Sequence, residues 1–225
     1  MSKALLITSA FWDPICPPLG ISSLKSFAEI NGHQVSIVDL NTRSQIFRAQ
    51  TEYFDEILRQ FPHMKKWNIL RNGTEMLSLH QILYLFAKQK KNYKELVADV
   101  LNMDMRPFDD FMDKCDLEKF DNLFYKLYQN IEQEIKKYLS EEIDVVGCHL
   151  NNSTWASTLF ILKYIKEKYP YIRTAVGGPG PIMGFVSDKR EIEFRQIFET
   201  LQVVYQPCTS TLPRKTQISR NYILH

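Results

Sequence analysis

The sequence predicts an α/β fold, a parallel sheet interrupted by a large helical insertion. Three observations carry this. Short apolar, β-branched runs near residues 4–8, 35–40, 143–150 and 172–176 each end in a polar or glycine-containing loop. Helical stripes stand between those runs at both ends of the chain. A stretch of different composition, residues 42–141, separates the two halves.

Ala4, Leu5, Leu6 and Ile7 form a continuous apolar run. Such a run reads as a strand buried on both faces, as in a parallel sheet. Residues 9–18 hold Pro14, Pro17 and Pro18 and are expected to be a loop. Ile21, Leu24, Phe27 and Ala28 then recur at helical spacing, and Asn31-Gly32 is a helix stop. Val35 to Leu40 follows at once as a second strand. The right-handed crossover rule makes these two strands parallel.

Residues 42–141 are rich in Gln, Lys, Glu, Leu, Phe and Tyr. Helices are expected over 55–61, 77–90, 93–101 and 117–139. Pro62 and Pro107 break the series, and Asn72-Gly73 is expected to be a turn. The aromatic content is too high for a disordered linker.

The α/β alternation resumes at Ile143. A strand is expected over 143–150 and a helix over 154–169, with Leu159, Ile161, Leu162 and Ile165 as its stripe. A strand over 172–176 is stopped by Gly177, Gly178 and Pro179. A helix over 191–201 and a fifth strand over 202–205 complete the pattern. The domain reading is therefore 1–41 plus 142–206 for the α/β part, 42–141 for the helical insertion and 207–225 for an irregular tail, natural or the product of truncation. The architecture is Rossmann-like, of the flavodoxin-like kind.

Composition narrows the function classes. Lys plus Arg is 28 and Asp plus Glu is 26, a balance that gives no electrostatic argument for nucleic acid or an anionic membrane. Cys16, Cys115, Cys148 and Cys208 lack the close spacing of a zinc or iron–sulfur motif. Neither a signal peptide nor an apolar stretch long enough for a membrane helix is legible, so a cytoplasmic protein with reduced thiols is expected.

Three loops fall at the carboxyl ends of predicted strands, over 9–20, 150–153 and 177–181. That edge of an open parallel sheet is where ligands bind. Gly177 and Gly178 remove side chains where the chain turns or a ligand approaches. Asn151, Asn152 and Ser153 supply small polar groups at a strand exit. The plainer alternative is that Asn152 or Ser153 caps a helix and the glycines make a turn. Trp12 and Trp155 stand in the same loops and are read, with Trp67, as core or interface residues. His33 and His149 are read as structural.

A set of motifs in order adds a resemblance. Cys16-Pro17-Pro18-Leu19-Gly20-Ile21, then Leu24 and Ala28, then Gly32-His33-x-Val35 up to Asp39, resembles the opening of the cobalamin-binding domain of B12-dependent radical SAM proteins. Asp144-Val145-Val146-Gly147, then Asn152-Ser153, then Ile161 to Ile165 and Val176-Gly177-Gly178-Pro179, resembles its second half. The likeness covers about residues 3–40 and 143–200, and members of that family often carry a helical insertion between the halves.

The resemblance implies cobalamin as cofactor. Pro17, Pro18, Leu19, Gly20 and Ser22 would lie under the corrin. Leu150, Asn151, Asn152 and Ser153 would line the channel for the nucleotide tail, and Gly177, Gly178 and Pro179 would flank that tail. The loop before Gly20 has no His, so the cobalt would be His-off. No Cys-x-x-x-Cys-x-x-Cys is present, so no iron–sulfur cluster, no catalytic residue and no protein metal ligand are expected in this chain. The implied role is binding, as a detached or truncated part of a radical SAM methyltransferase-like protein, with a radical SAM domain or protein as partner. Two alternatives stay open. One is a Rossmann-like enzyme using a nucleotide or S-adenosylmethionine, for which Asp39 could hold a ribose although no G-x-G-x-x-G follows the first strand. The other is an interaction protein that works through the helical insertion.

Overall fold

The computed structural model describes residues 1–11, 19–62, 69–102, 115–139, 142–151, 153–178 and 204–207. Five strands form one sheet: β1 (Lys3–Thr8), β2 (Gln34–Asp39), β3 (Val145–His149), β4 (Arg173–Gly178) and β5 (Val204–Pro207). Their order is β2-β1-β3-β4-β5, and every neighbouring pair is parallel. This is a Rossmann-like α/β arrangement in the flavodoxin-like strand order. Strand order reverses between β1 and β3, where such sheets open a crevice at their carboxyl edge.

Six helices accompany the sheet among the described residues: α1 (Leu19–Ile30), α2 (Ser44–Gln60), α3 (Ile69–Ala87), α4 (Tyr93–Asn102), α5 (Leu117–Lys136) and α6 (Trp155–Lys168). Four of them, α2 to α5, lie between β2 and β3. They share one buried cluster with a face of the sheet, in which Tyr53, Phe120, Phe124 and Ile131 join Leu5, Ile7, Val38, Val146, Cys148 and Val176. The opposite face carries a small cluster, Leu6 and Val35 against Ile21 of α1, flanked by Ala4, Ala28 and Ile37.

The two faces of the sheet are therefore unequal. β1 is buried on both sides from Leu5 onward, as its sequence predicts. β3 and β4 alternate instead: Val146, Cys148, Thr174 and Val176 are buried, while Val145, Gly147, His149, Ala175 and Gly177 on the α1 side stay partly exposed. A parallel sheet normally has both faces covered. Among the described residues, α1 packs on β1 and β2.

The structure corrects two local expectations. α2 begins at Ser44, well before residue 55, because Ile46, Ala49, Tyr53 and Ile57 form one buried stripe. Asn72-Gly73 makes no turn; α3 runs straight through it. A helical Gly costs about 1 kcal/mol relative to Ala. Burying Met76 and Leu77 in the same helix offsets that cost, at about 1.5–3 kcal/mol per side chain. The expected break at Pro107 and the helix over 191–201 lie outside the described residues, as do 202–203 of the fifth strand and 208–225 of the tail.

Candidate functional site

The site is built where β1, β3 and β4 end together. Register fixes which residues meet there. Thr8 pairs with Asp39 on one side and His149 on the other, His149 pairs with Gly177, and Gly177 with Gln206. Paired residues of parallel strands point to the same face, so Thr8, Asp39, His149 and Gly177 lie on the α1 side with Leu6 and Val35.

Three members of that row differ in what they have left to offer. The Asp39 carboxylate accepts from the backbone N–H and the side-chain amide of Asn41, both at 2.9 Å. Asn41 in turn donates to the Ser9 carbonyl at 3.2 Å. Asp39 is thus holding the turn Leu40–Thr42 and the β1 exit, which weakens its case as a ribose ligand. The Thr8 hydroxyl is fully buried and has no hydrogen-bond partner among the described residues. A buried hydroxyl without a partner costs free energy, about 1–3 kcal/mol, and calls for a further partner such as a ligand or water. His149 is partly buried, and desolvation lowers its pKa from the ordinary histidine value, favouring a neutral ring.

The two glycines of the β4 exit prove unlike each other. Gly178 has φ +132°, and a Cβ there would stand 2.5 Å from the Leu150 carbonyl oxygen and 3.2 Å from the His149 ring. Glycine is required there by the fold itself. A Cβ on Gly177 would meet nothing within 4 Å. Gly177 therefore borders open space on the α1 side, beside His149 and one strand from Gly147. The Leu150 N–H donates to the Gly177 carbonyl at 2.8 Å, which ties the two exits together.

The β3 exit is largely self-contained. Leu150 buries its side chain in the main core and offers only backbone to the edge. The Asn151 side-chain oxygen accepts from the Thr154 N–H and the Ser153 hydroxyl, both at 2.9 Å. The Thr154 hydroxyl accepts from the Asn151 N–H at 2.9 Å. Asn151 thus orders the turn before α6, whose N-cap, Thr154, makes no side-chain capping hydrogen bond. Beneath, Thr158 donates to the Ser9 hydroxyl at 2.8 Å, Ser157 donates to the Ala10 carbonyl, and the Phe11 N–H donates to the Ser153 carbonyl at 3.3 Å. This hydroxyl layer locks the β1 and β3 exits together. Trp155 packs against the core.

Leu19, Gly20 and Ser22 lie exposed in the first turn of α1. The carboxyl edge thus brings together Leu150, Asn151, Ser153, Gly177 and Gly178, with Leu19, Gly20 and Ser22 at the start of the helix that follows the β1 exit. Pro17, Pro18, Asn152 and Pro179 lie outside the described residues. Thr8 was missed by sequence reasoning, because a Thr ending an apolar strand looks like any other exit residue.

The chemistry open to the described residues is limited. Burial pushes the thiols of Cys115 and Cys148 up to about 12, so neither is a nucleophile at neutral pH. Among the described residues no group of three or more His, Cys, Asp or Glu could hold a metal ion. Beyond β2 a cleft is lined by Thr42, Arg43, Ser44 and Lys137, but its charges are paired internally. Glu134 is bridged by Arg43 at 2.7 Å and Lys137 at 2.5 Å. Among the described residues no helix is long and apolar enough to cross a membrane. Comparison with family models, curated proteins and solved structures finds no match to this chain.

Proposed function

We propose that this chain is a cobalamin-binding module that acts by binding rather than by catalysis. One observation carries the reading: at the switch point of the sheet, the α1 side holds open space over Gly177, next to the unpartnered Thr8 hydroxyl and the neutral His149. A long ligand tail entering a sheet from its carboxyl edge needs small residues along its path and polar groups at its end. Ala175 and Gly177 are the small residues; Thr8 is the polar group.

In this reading Gly177 and Thr8 hold the tail, and the backbone at Leu150 shapes its entrance. Gly178, Asn151 and Ser153 position the loops. Leu19, Gly20 and Ser22 border the corrin, together with Pro17 and Pro18. Bound cobalamin supplies a cobalt able to carry a one-carbon group, without a histidine ligand from the loop before Gly20. The partner is a radical SAM domain or protein, and the setting is cytoplasmic. The nucleotide alternative is less well supported, since the Asp39 carboxylate is engaged at the Leu40–Thr42 turn.

Titration of the purified chain with hydroxocobalamin and methylcobalamin tests this. The expected result is a base-off-like change in the visible spectrum that saturates with one equivalent. An unchanged spectrum at tens of micromolar, with a thermal shift by NAD or S-adenosylmethionine instead, would sink it in favour of the nucleotide reading.

A further inference from the structure

β1 and β3 run side by side as far as the pair Thr8 and His149. Past that pair the two exits are tied in opposite directions. The Asn41 side-chain amide donates to the Ser9 carbonyl at 3.2 Å, on the β2 side. The Leu150 N–H donates to the Gly177 carbonyl of β4 at 2.8 Å. Such divergence is what opens a crevice at a switch point. Thr158 of α6 is fully buried on the sheet face opposite α1. Its hydroxyl donates to the Ser9 hydroxyl at 2.8 Å and stands 3.4 Å from the His149 carbonyl. One side chain thus spans the two exits from below. Ser9 also hydrogen-bonds the Cys148 thiol of β3.

We propose that Thr158 is a positioning residue that sets the width of the crevice between the β1 and β3 exits. A Ser or Thr hydroxyl inside a helix commonly bonds a carbonyl one turn back on its own helix. Ser157 does so in part, reaching the Thr154 carbonyl at 3.1 Å as well as the Ala10 carbonyl. Thr158 turns outward to two strand exits instead. Packing α6 on the sheet requires no hydroxyl there, and a buried hydroxyl costs free energy unless it is paired. Thr158 acts through Ser9, whose neighbour Thr8 carries the hydroxyl assigned to the ligand tail. The inference rests on the cobalamin-binding reading and adds to it the element that tunes affinity. Loss of one such hydrogen bond is enough to weaken binding by about tenfold.

Thr158→Val removes the hydroxyl and keeps the branched shape, whereas Thr158→Ser keeps the hydroxyl. Both are titrated with hydroxocobalamin beside the native full chain, at a temperature below every melting transition. The expected result is binding about tenfold weaker for Thr158→Val and within about twofold of native for Thr158→Ser. Ile165→Val, buried toward the far end of α6, serves as the stability control. It should lower the melting temperature and leave the affinity as it is. Native affinity in Thr158→Val overturns the proposal. So does equal weakening by Thr158→Ser, which would assign the effect to packing, or by Ile165→Val, which would assign it to stability. A native chain that leaves the hydroxocobalamin spectrum unchanged overturns the cobalamin reading, and this inference with it.

Discussion

Gly177 and Gly178 are adjacent in sequence, yet physics assigns them opposite tolerances. A Cβ at Gly178 collides with backbone, at a positive φ that L-residues rarely adopt. Gly178→Ala should therefore destabilise the fold by about 1–3 kcal/mol in a urea melt. Gly177→Ala should stay within about 0.5 kcal/mol, because its Cβ enters open space. Equal costs for the two would remove the distinction on which the site rests. The sequence marks both glycines as special but cannot rank them. The ranking comes from the Leu150 carbonyl, a contact made across strands.

His80 shows a second residue-scale effect. It is fully buried among Tyr53, Phe120 and Phe124 and hydrogen-bonded to the Tyr53 hydroxyl at 2.9 Å. Desolvation lowers its pKa from 6.5 to about 3. Above pH 6.5 the ring is neutral in both the folded and unfolded chain and adds no pH dependence. Below 6.5 the unfolded chain binds a proton that the folded chain refuses. Stability should then fall by up to about 1.4 kcal/mol per pH unit until pH approaches 3. Denaturant melts between pH 7 and 4 should show that slope for the native chain. A His80→Leu variant should lose this part of it; an identical slope in both would show that His80 is not its source.

Among the elements, α5 carries a long buried stripe that packs on the other helices. Phe120, Phe124, Leu127, Ile131 and Ile135 are buried along one side, whereas Tyr125 is exposed. Phe124→Ala should cost about 3–5 kcal/mol, and Tyr125→Ala should change stability by less than about 0.5 kcal/mol. Chemical denaturation of the two variants checks this. α5 was legible in the sequence because its apolar residues recur at helical spacing over five turns. The first half of α2 was passed over because its stripe is thin, with Ala49 and Tyr53 separated by polar residues. Asn72-Gly73 misled for the opposite reason. Local turn preference is worth about 1 kcal/mol, less than the burial that keeps α3 continuous.

For the whole molecule, the alternation of apolar runs with helical stripes was enough to foresee a parallel α/β sheet and the edge at which its loops gather. Two things were out of reach. Strand order is a tertiary property, so the switch point between β1 and β3 became definite only with the pairings. The partial exposure of β3 and β4 on the α1 side was equally hidden, because small residues such as Ala175 and Gly177 can stand under a packed helix or under a ligand. On that side Ala175 and Gly177 are partly exposed, and its carboxyl end borders the candidate tail site.

The most direct measurement of the central claim compares cobalamin retention by the native chain and by Gly177→Leu in the same gel-filtration experiment. A Cβ at Gly177 meets nothing within 4 Å, and the melting temperature of the variant, measured alongside, separates loss of the site from loss of the fold. The account predicts that the native chain carries cobalamin through the column while the variant emerges without it. Retention by both proteins, or by neither, would contradict the placement of the ligand over Gly177.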